Sequence, residues 1–194
     1  MKKVLVFICI AGLIFACGCT GYREIERGYL VTAVGFKKQS DKTEIVLETL
    51  LPNDTAENIK ETEILSGAGT NFSYAYKNLQ NSLVKALYFE QCGVVAVDGT
   101  FSPDEIATIL EFCHNLPSLN IGVYVIKTDN INSLFENGGT AGYDIIGLIK
   151  NKTENQGDIF SNQLYQIERD MSKEKTISLP EINVINKKFV LETK

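Results

Sequence analysis

The 194-residue sequence has no tryptophan, two methionines and a single histidine, His114. One histidine and five cysteines leave little material for a metal site. An excess of basic charge is also missing. Nineteen Lys and Arg face 24 Asp and Glu, a net charge of −5, which argues against nucleic acid as a partner because phosphate binding needs clustered cations. No G-x-S-x-G elbow and no H-E-x-x-H pair occurs, and beyond the N-terminal leader there is no C-x-x-C. With those patterns absent, no catalytic residue, metal or cofactor is expected, and an enzyme reading has little to stand on. Internal repeats and low-complexity tracts are absent too. What remains is 44% hydrophobic and 22% charged, the balance of a folded chain rather than a disordered one.

The N-terminus is the most informative stretch. Lys2 and Lys3 precede an uncharged, mostly apolar run from Val4 to Ala16. Thirteen residues fall short of the roughly 20 that a helix needs to cross a bilayer, and they fit the h-region of a secretory signal. Ala16-Cys17-Gly18-Cys19 follows. A small residue directly before a cysteine at this place is the bacterial lipoprotein pattern, in which the leader is cut and the cysteine carries lipid. An ordinary signal peptide or an uncleaved anchor is the plainer alternative. Local pattern favours Cys17, with Ile14 at −3 and Ala16 at −1; Cys19 has Gly18 at −1. Thioether-linked diacylglycerol supplies the two chains that stable anchoring requires. With residues 1–18 as the leader and 19–194 as one mature domain, loss of Lys2 and Lys3 takes the net charge from −5 to −7. Cys92 and Cys113 are then the only pair able to form a disulfide, although two buried thiols are the simpler expectation.

Along the mature chain, Tyr29 to Phe36 is apolar on both faces and reads as a buried central strand. Thr43 to Leu50 alternates, with Ile45 and Leu47 on one face and Glu44, Val46 and Glu48 on the other, so the two segments form a hairpin around Lys37–Lys42. Pro52 to Ser66 reads as a loop. Ser66-Gly67-Ala68-Gly69-Thr70 faintly resembles a phosphate loop, but it lacks the Lys-Ser/Thr ending and reads as flexible, with Thr70 capping the next helix. In that helix Phe72, Ala75, Tyr76, Leu79, Leu83 and Leu87 share one stripe. Cys92 to Val97 is a short buried strand turning at Asp98-Gly99. Ser102-Pro103-Asp104-Glu105 is a capping box with Pro at the first helical position, opening a helix that stops before Pro117. His114 near its end suits the helix dipole. Asn120 to Lys127 is a further strand, and Ile131–Phe135, Tyr143–Lys150 and Phe160–Met171 read as helices. Ile182 to Leu191 reads as a last strand. The expected fold is α/β (α+β), a mixed sheet of about five strands flanked by helices.

The segment Cys19 to Phe36, CTGYREIERGYLVTAVGF, resembles the start of the mature C subunits of spore germinant receptors, the Ger(x)C lipoprotein family. Arg23, Glu24, Ile25 and Gly35 match the family pattern, whereas Thr20-Gly21 stands for its Trp-Asp and Phe36-Lys37 for its Ile-Asp. Further along, Gly69, Ala75, Asn78 and Leu79, the segment Lys85 to Phe89, Phe112 to Val125, and Leu179-Pro180-x-Ile182 follow the family. The family's histidine after the Leu-Tyr-Phe segment is replaced near Gln91, and its arginine near Asn115 is missing. In this register the lipidated cysteine is Cys19. Family members are about twice as long, so the resemblance covers an N-terminal domain without the domains that follow it.

The resemblance implies a non-enzymatic subunit held by lipid on the outer leaflet of the cell membrane, the spore inner membrane. Such a subunit assembles with a multi-spanning A subunit and a transporter-like B subunit in sensing nutrient germinants. Arg23, Glu24 and Ile25, a few residues from Cys19, are the expected partner contacts or orienting residues. Tyr88 and Phe89 are weaker candidates, for which core packing is the plainer role. The alternative reading is a free-standing envelope lipoprotein that binds a small ligand.

Overall fold

The computed structural model describes residues 28–39, 41–50, 62–137, 140–156, 162–173, 175 and 177–192. Eight strands and five helices occur among them: β1 (Tyr29–Gln39), β2 (Lys42–Leu50), β3 (Thr62–Gly69), α1 (Phe72–Ser82), β4 (Leu87–Tyr88), β5 (Val94–Asp98), α2 (Pro103–His114), β6 (Tyr124–Thr128), α3 (Ile131–Phe135), α4 (Ala141–Gln156), α5 (Leu164–Met171), β7 (Glu181–Ile185) and β8 (Lys188–Glu192). The α+β class holds, with a mixed sheet larger than the five strands expected.

The strand order is β3-β2-β1-β5-β6-β7-β8, with the two-residue β4 also beside β1. β2 runs antiparallel to β1 and β3 antiparallel to β2, so β3 is parallel to β1. β5, β6 and β7 continue in parallel, and β8 returns antiparallel. The apolar run of β1 is explained by this central place. Val31, Val34 and Phe36 face one cluster, Ala33 the other, and all are fully buried.

One face is covered by α1, α2 and α5. There Phe36, Phe72 and Phe112 meet at ring distances of 5.3 to 6.2 Å, and Tyr76 stands edge-on to Phe112 at 5.9 Å. Such pairs each add about 0.5–1.5 kcal/mol beyond area burial. The other face is covered by α3 and α4, whose Ile131, Leu134, Phe135, Ile145 and Ile149 pack on Val46, Val94, Ala96 and Ile126. The hairpin is therefore covered on both sides.

Two expectations are corrected at β3. Thr62–Gly69 is strand rather than the loop expected over Pro52–Ser66 and the flexible Ser66–Thr70, and the helix cap is Asn71, whose side chain accepts from the Tyr74 N–H, rather than Thr70. The glycines serve contact. A Cβ on Gly67 would lie 2.5 Å from that of Leu79, and one on Gly69 would lie 2.4 Å from the Ala75 nitrogen, so α1 closes on β3 only over bare backbone. The expected single strand at Ile182–Leu191 is a hairpin, turning at Asn186 and Lys187 with φ of 50° and 60°. That pair of positive φ values matches the type I′ turn. α1 ends at Ser82, before Leu83 and Leu87. α5 begins at Leu164; Phe160 lies outside the described residues. By contrast, the Ser102–Glu105 capping box is present as expected.

The sheet has two distinct ends. At the entry end lie the starts of β1, β3, β5 and β6 and the finish of β2. At the far end lie the β1–β2 turn, the finishes of β5 and β6, and the β7–β8 turn.

Candidate functional site

Cys17, Cys19, Arg23, Glu24 and Ile25 lie outside the described residues, as does the whole expected leader. What the structure defines is the place to which they lead. Gly28 precedes β1 at the entry end, under the Tyr88 ring: a Cβ there would fall 1.9 Å from Cε2 of Tyr88. The Tyr29 N–H donates to the Ala86 carbonyl at 2.9 Å, and the Lys85 ammonium sits 5.8 Å from the Tyr29 ring centre. Tyr88 thus covers Gly28. Phe89 is core, in contact range of Tyr76 at 6.2 Å.

Beside this entry the sheet holds a buried carboxylate that strand alternation places on a face without showing what covers it. Glu48 of β2 is fully buried. It accepts hydrogen bonds from the Ala141 N–H at 2.6 Å, the Gly142 N–H at 3.0 Å and the Thr32 hydroxyl. Ala141 and Gly142 open α4, so Glu48 satisfies two otherwise unpaired N–H groups and meets the positive end of the helix dipole. Gly142 permits the approach, since a Cβ there would fall 2.4 Å from the Thr32 carbonyl oxygen. The register of β1 shifts between Val31 and Ala33, where Thr32 makes this contact. A carboxylate so tied fastens α4 to β1 and β2. Its oxygens already serve three donors, which suits a clamp better than a general base.

The remaining chemistry-bearing residues are held in comparable roles. Cys92 and Cys113 are free and buried, without a disulfide. Burial pushes the Cys92 thiol up to about 12 and the Cys113 thiol well above its ordinary value. Both stay protonated near neutral pH and lack the thiolate a nucleophile needs. His114, at the end of α2, sets Nδ1 3.1 Å from Glu168 Oε1 of α5. The pair edges an open groove of about 460 Å³ lined also by Ala107, Leu110 and Met171.

At the far end the Asn183 amide joins β6, β7 and β8. Its oxygen accepts from the Thr128 hydroxyl at 3.1 Å and the Asp129 N–H at 2.9 Å. Its nitrogen donates to Asp129, Glu181 and Glu192 at 3.3 to 3.4 Å. No group of three or more His, Cys, Asp or Glu suited to a metal ion occurs among the described residues. Nearby, Ser102 and Lys38 hold Glu105. The Lys38 ammonium at 2.7 Å, with the Ser102 N–H and hydroxyl, lowers the Glu105 carboxyl to about 2. Among the described residues no helix is long and apolar enough to cross a membrane.

Compared with known families, residues 21–184 match the spore germination protein N-terminal domain. No curated protein and no solved structure matches the chain.

Proposed function

The chain belongs to the spore germination protein N-terminal domain family, and on that premise we propose that it is a non-enzymatic, lipid-anchored component of a nutrient germinant receptor. Diacylglycerol on Cys19 holds the domain at the outer face of the membrane, and the domain assembles with membrane-embedded A and B subunits. The observation that carries this reading is the extent of the family match. It begins at Gly21, two residues after Cys19, and runs to Val184 in β7, so it takes in β1 to β6, most of β7 and every helix described, with β8 beyond it. The protonated thiols of Cys92 and Cys113 and the engagement of Glu48 with the start of α4 also support a role in binding and assembly rather than catalysis.

Co-purification from spore membranes tests it. The tagged chain is expected to bring down the A and B subunits, and Cys19→Ala is expected to release it to the soluble fraction. Recovery without either subunit would sink the assembly reading. Release by Cys17→Ala but not by Cys19→Ala would move the anchor two residues.

A further inference from the structure

The geometry points to the entry end of the sheet as a surface that rests in the lipid headgroup layer, with Val84 as its most prominent apolar contact. This inference rests on lipid attachment at Cys19, proposed above, and adds an orientation to it. Gly28 lies nine positions after Cys19, a reach of about 30 Å when fully extended. β1 has 11 residues and spans about 36 Å. In an upright domain the entry end faces the bilayer and the far end stands a strand length further out.

The side chains at the entry end suit that neighbour. Among the described residues, five of the eight exposed large apolar side chains gather there from separate elements. Val84, in the turn between α1 and β4, is 99% exposed and Ile121, before β6, is 52% exposed; Ile64, Tyr143 and Tyr165 complete the set. Their placement follows from pairing. Ile64 is opposite Glu48, which is opposite Ala33 near the start of β1. The Tyr165 N–H donates to the Ile121 carbonyl, and Tyr143 is in the first turn of α4, which Glu48 holds beside Thr32. Tyr74 and Ile185 lie at the far end, and Val190 on the outer strand β8.

Tyrosine dominates the same end. Tyr143 and Tyr165 are exposed there and Tyr29, Tyr88 and Tyr124 are half-buried at the same end, against Tyr74 and Tyr76 on α1. A phenol places an apolar ring and a polar tip at an interface that is apolar on one side and wet on the other, the chemistry of membrane aromatic belts. Lys85, next to Val84, adds an ammonium able to meet lipid phosphate while its stem lies along apolar surface. A protein partner on this surface is the competing outcome.

Because the chain has no tryptophan, one introduced indole reports its own surroundings. The full lipidated protein carrying Val84→Trp, and separately Tyr74→Trp, is reconstituted into phosphatidylglycerol–phosphatidylcholine vesicles with or without bromine on the phosphatidylcholine acyl chains. The position 84 indole is expected to emit at shorter wavelength and to lose emission several-fold with brominated lipid, while the position 74 indole does neither. Protein that floats with the vesicles but shows no bromine quenching at position 84 overturns the docking and leaves the anchor standing. A blue shift there without quenching, appearing only when receptor subunits are present, overturns it in favour of a protein contact. Protein that fails to float with the vesicles overturns the anchor and this orientation with it.

Discussion

The two ends of the sheet are built from different chemistry. The entry end joins its elements through a buried carboxylate, where Glu48 meets the start of α4, and shows tyrosine and aliphatic side chains outward. The far end is charged and linked by polar contacts near the surface: Lys38 with Glu105, Lys37 with Glu44, and the Asn183 amide with three carboxylates. Buried charge-assisted bonds are strong because their donors cannot turn to water instead, whereas exposed ion pairs are screened and contribute little. The entry end is thus made rigid from inside while its outer surface remains available. The far end carries its polar groups outward, where aqueous partners reach them.

The sharpest way to break this contrast is Glu48→Ala. Two N–H groups of α4 and the Thr32 hydroxyl lose their acceptor inside the fold, and urea unfolding is expected to show a loss of about 3 kcal/mol. A loss under about 1 kcal/mol would mean the carboxylate is not the clamp described. Glu48→Gln keeps one acceptor and should fall between the variant and the parent. Asn183→Ala cuts several bonds at the far end, but water can replace them; about 1 kcal/mol is expected in the same assay. A cost equal to that of Glu48→Ala would erase the distinction between the ends.

The pH response sharpens it further. Glu105 has a folded-state carboxyl near 2, below its usual 4.5, chiefly through Lys38. Its contribution to stability is therefore present above about pH 4.5 and is lost as pH falls toward 2. Exposure keeps that contribution small. Lys38→Met should move the Glu105 titration, followed by NMR, back up toward the ordinary carboxylate range; an unmoved midpoint would leave the Ser102 bonds as the whole cause. Smallest is Val84→Ser, expected to leave unfolding within about 0.5 kcal/mol of the parent. A larger loss would show Val84 packed within the fold rather than presented outward.

Much of this architecture is legible in the sequence where local signals agree. α2 is the clearest case: a capping box, a proline at the first position and an apolar stripe fix both its ends within the chain. The central placement of β1 follows from its two-sided apolar run. β3 is not legible, because Gly67 and Gly69 have the composition of a loop and only the closeness of α1 explains them. The β7–β8 turn is hidden for a related reason. It uses Asn186 and Lys187 at positive φ where glycine is the usual signal. Glu48 shows why the clamp escapes notice: alternation assigns it to a face, but the cover on that face comes from α4, 93 residues away in sequence. The expected site residues around Cys19 fall outside the described residues, and their roles rest on the family pattern.

The orientation of the domain is the centre of the account, and three native tyrosines report on it directly. Tyr143 and Tyr165 are exposed at the entry end and Tyr74 at the far end. Hydroxyl-radical footprinting of the unaltered protein, in spore membranes and after detergent extraction, reads all three by mass spectrometry. Protection of Tyr143 and Tyr165 in membranes, lifted by detergent, with Tyr74 labelled equally in both, is the predicted result. Equal labelling of all three tyrosines before and after extraction would contradict it.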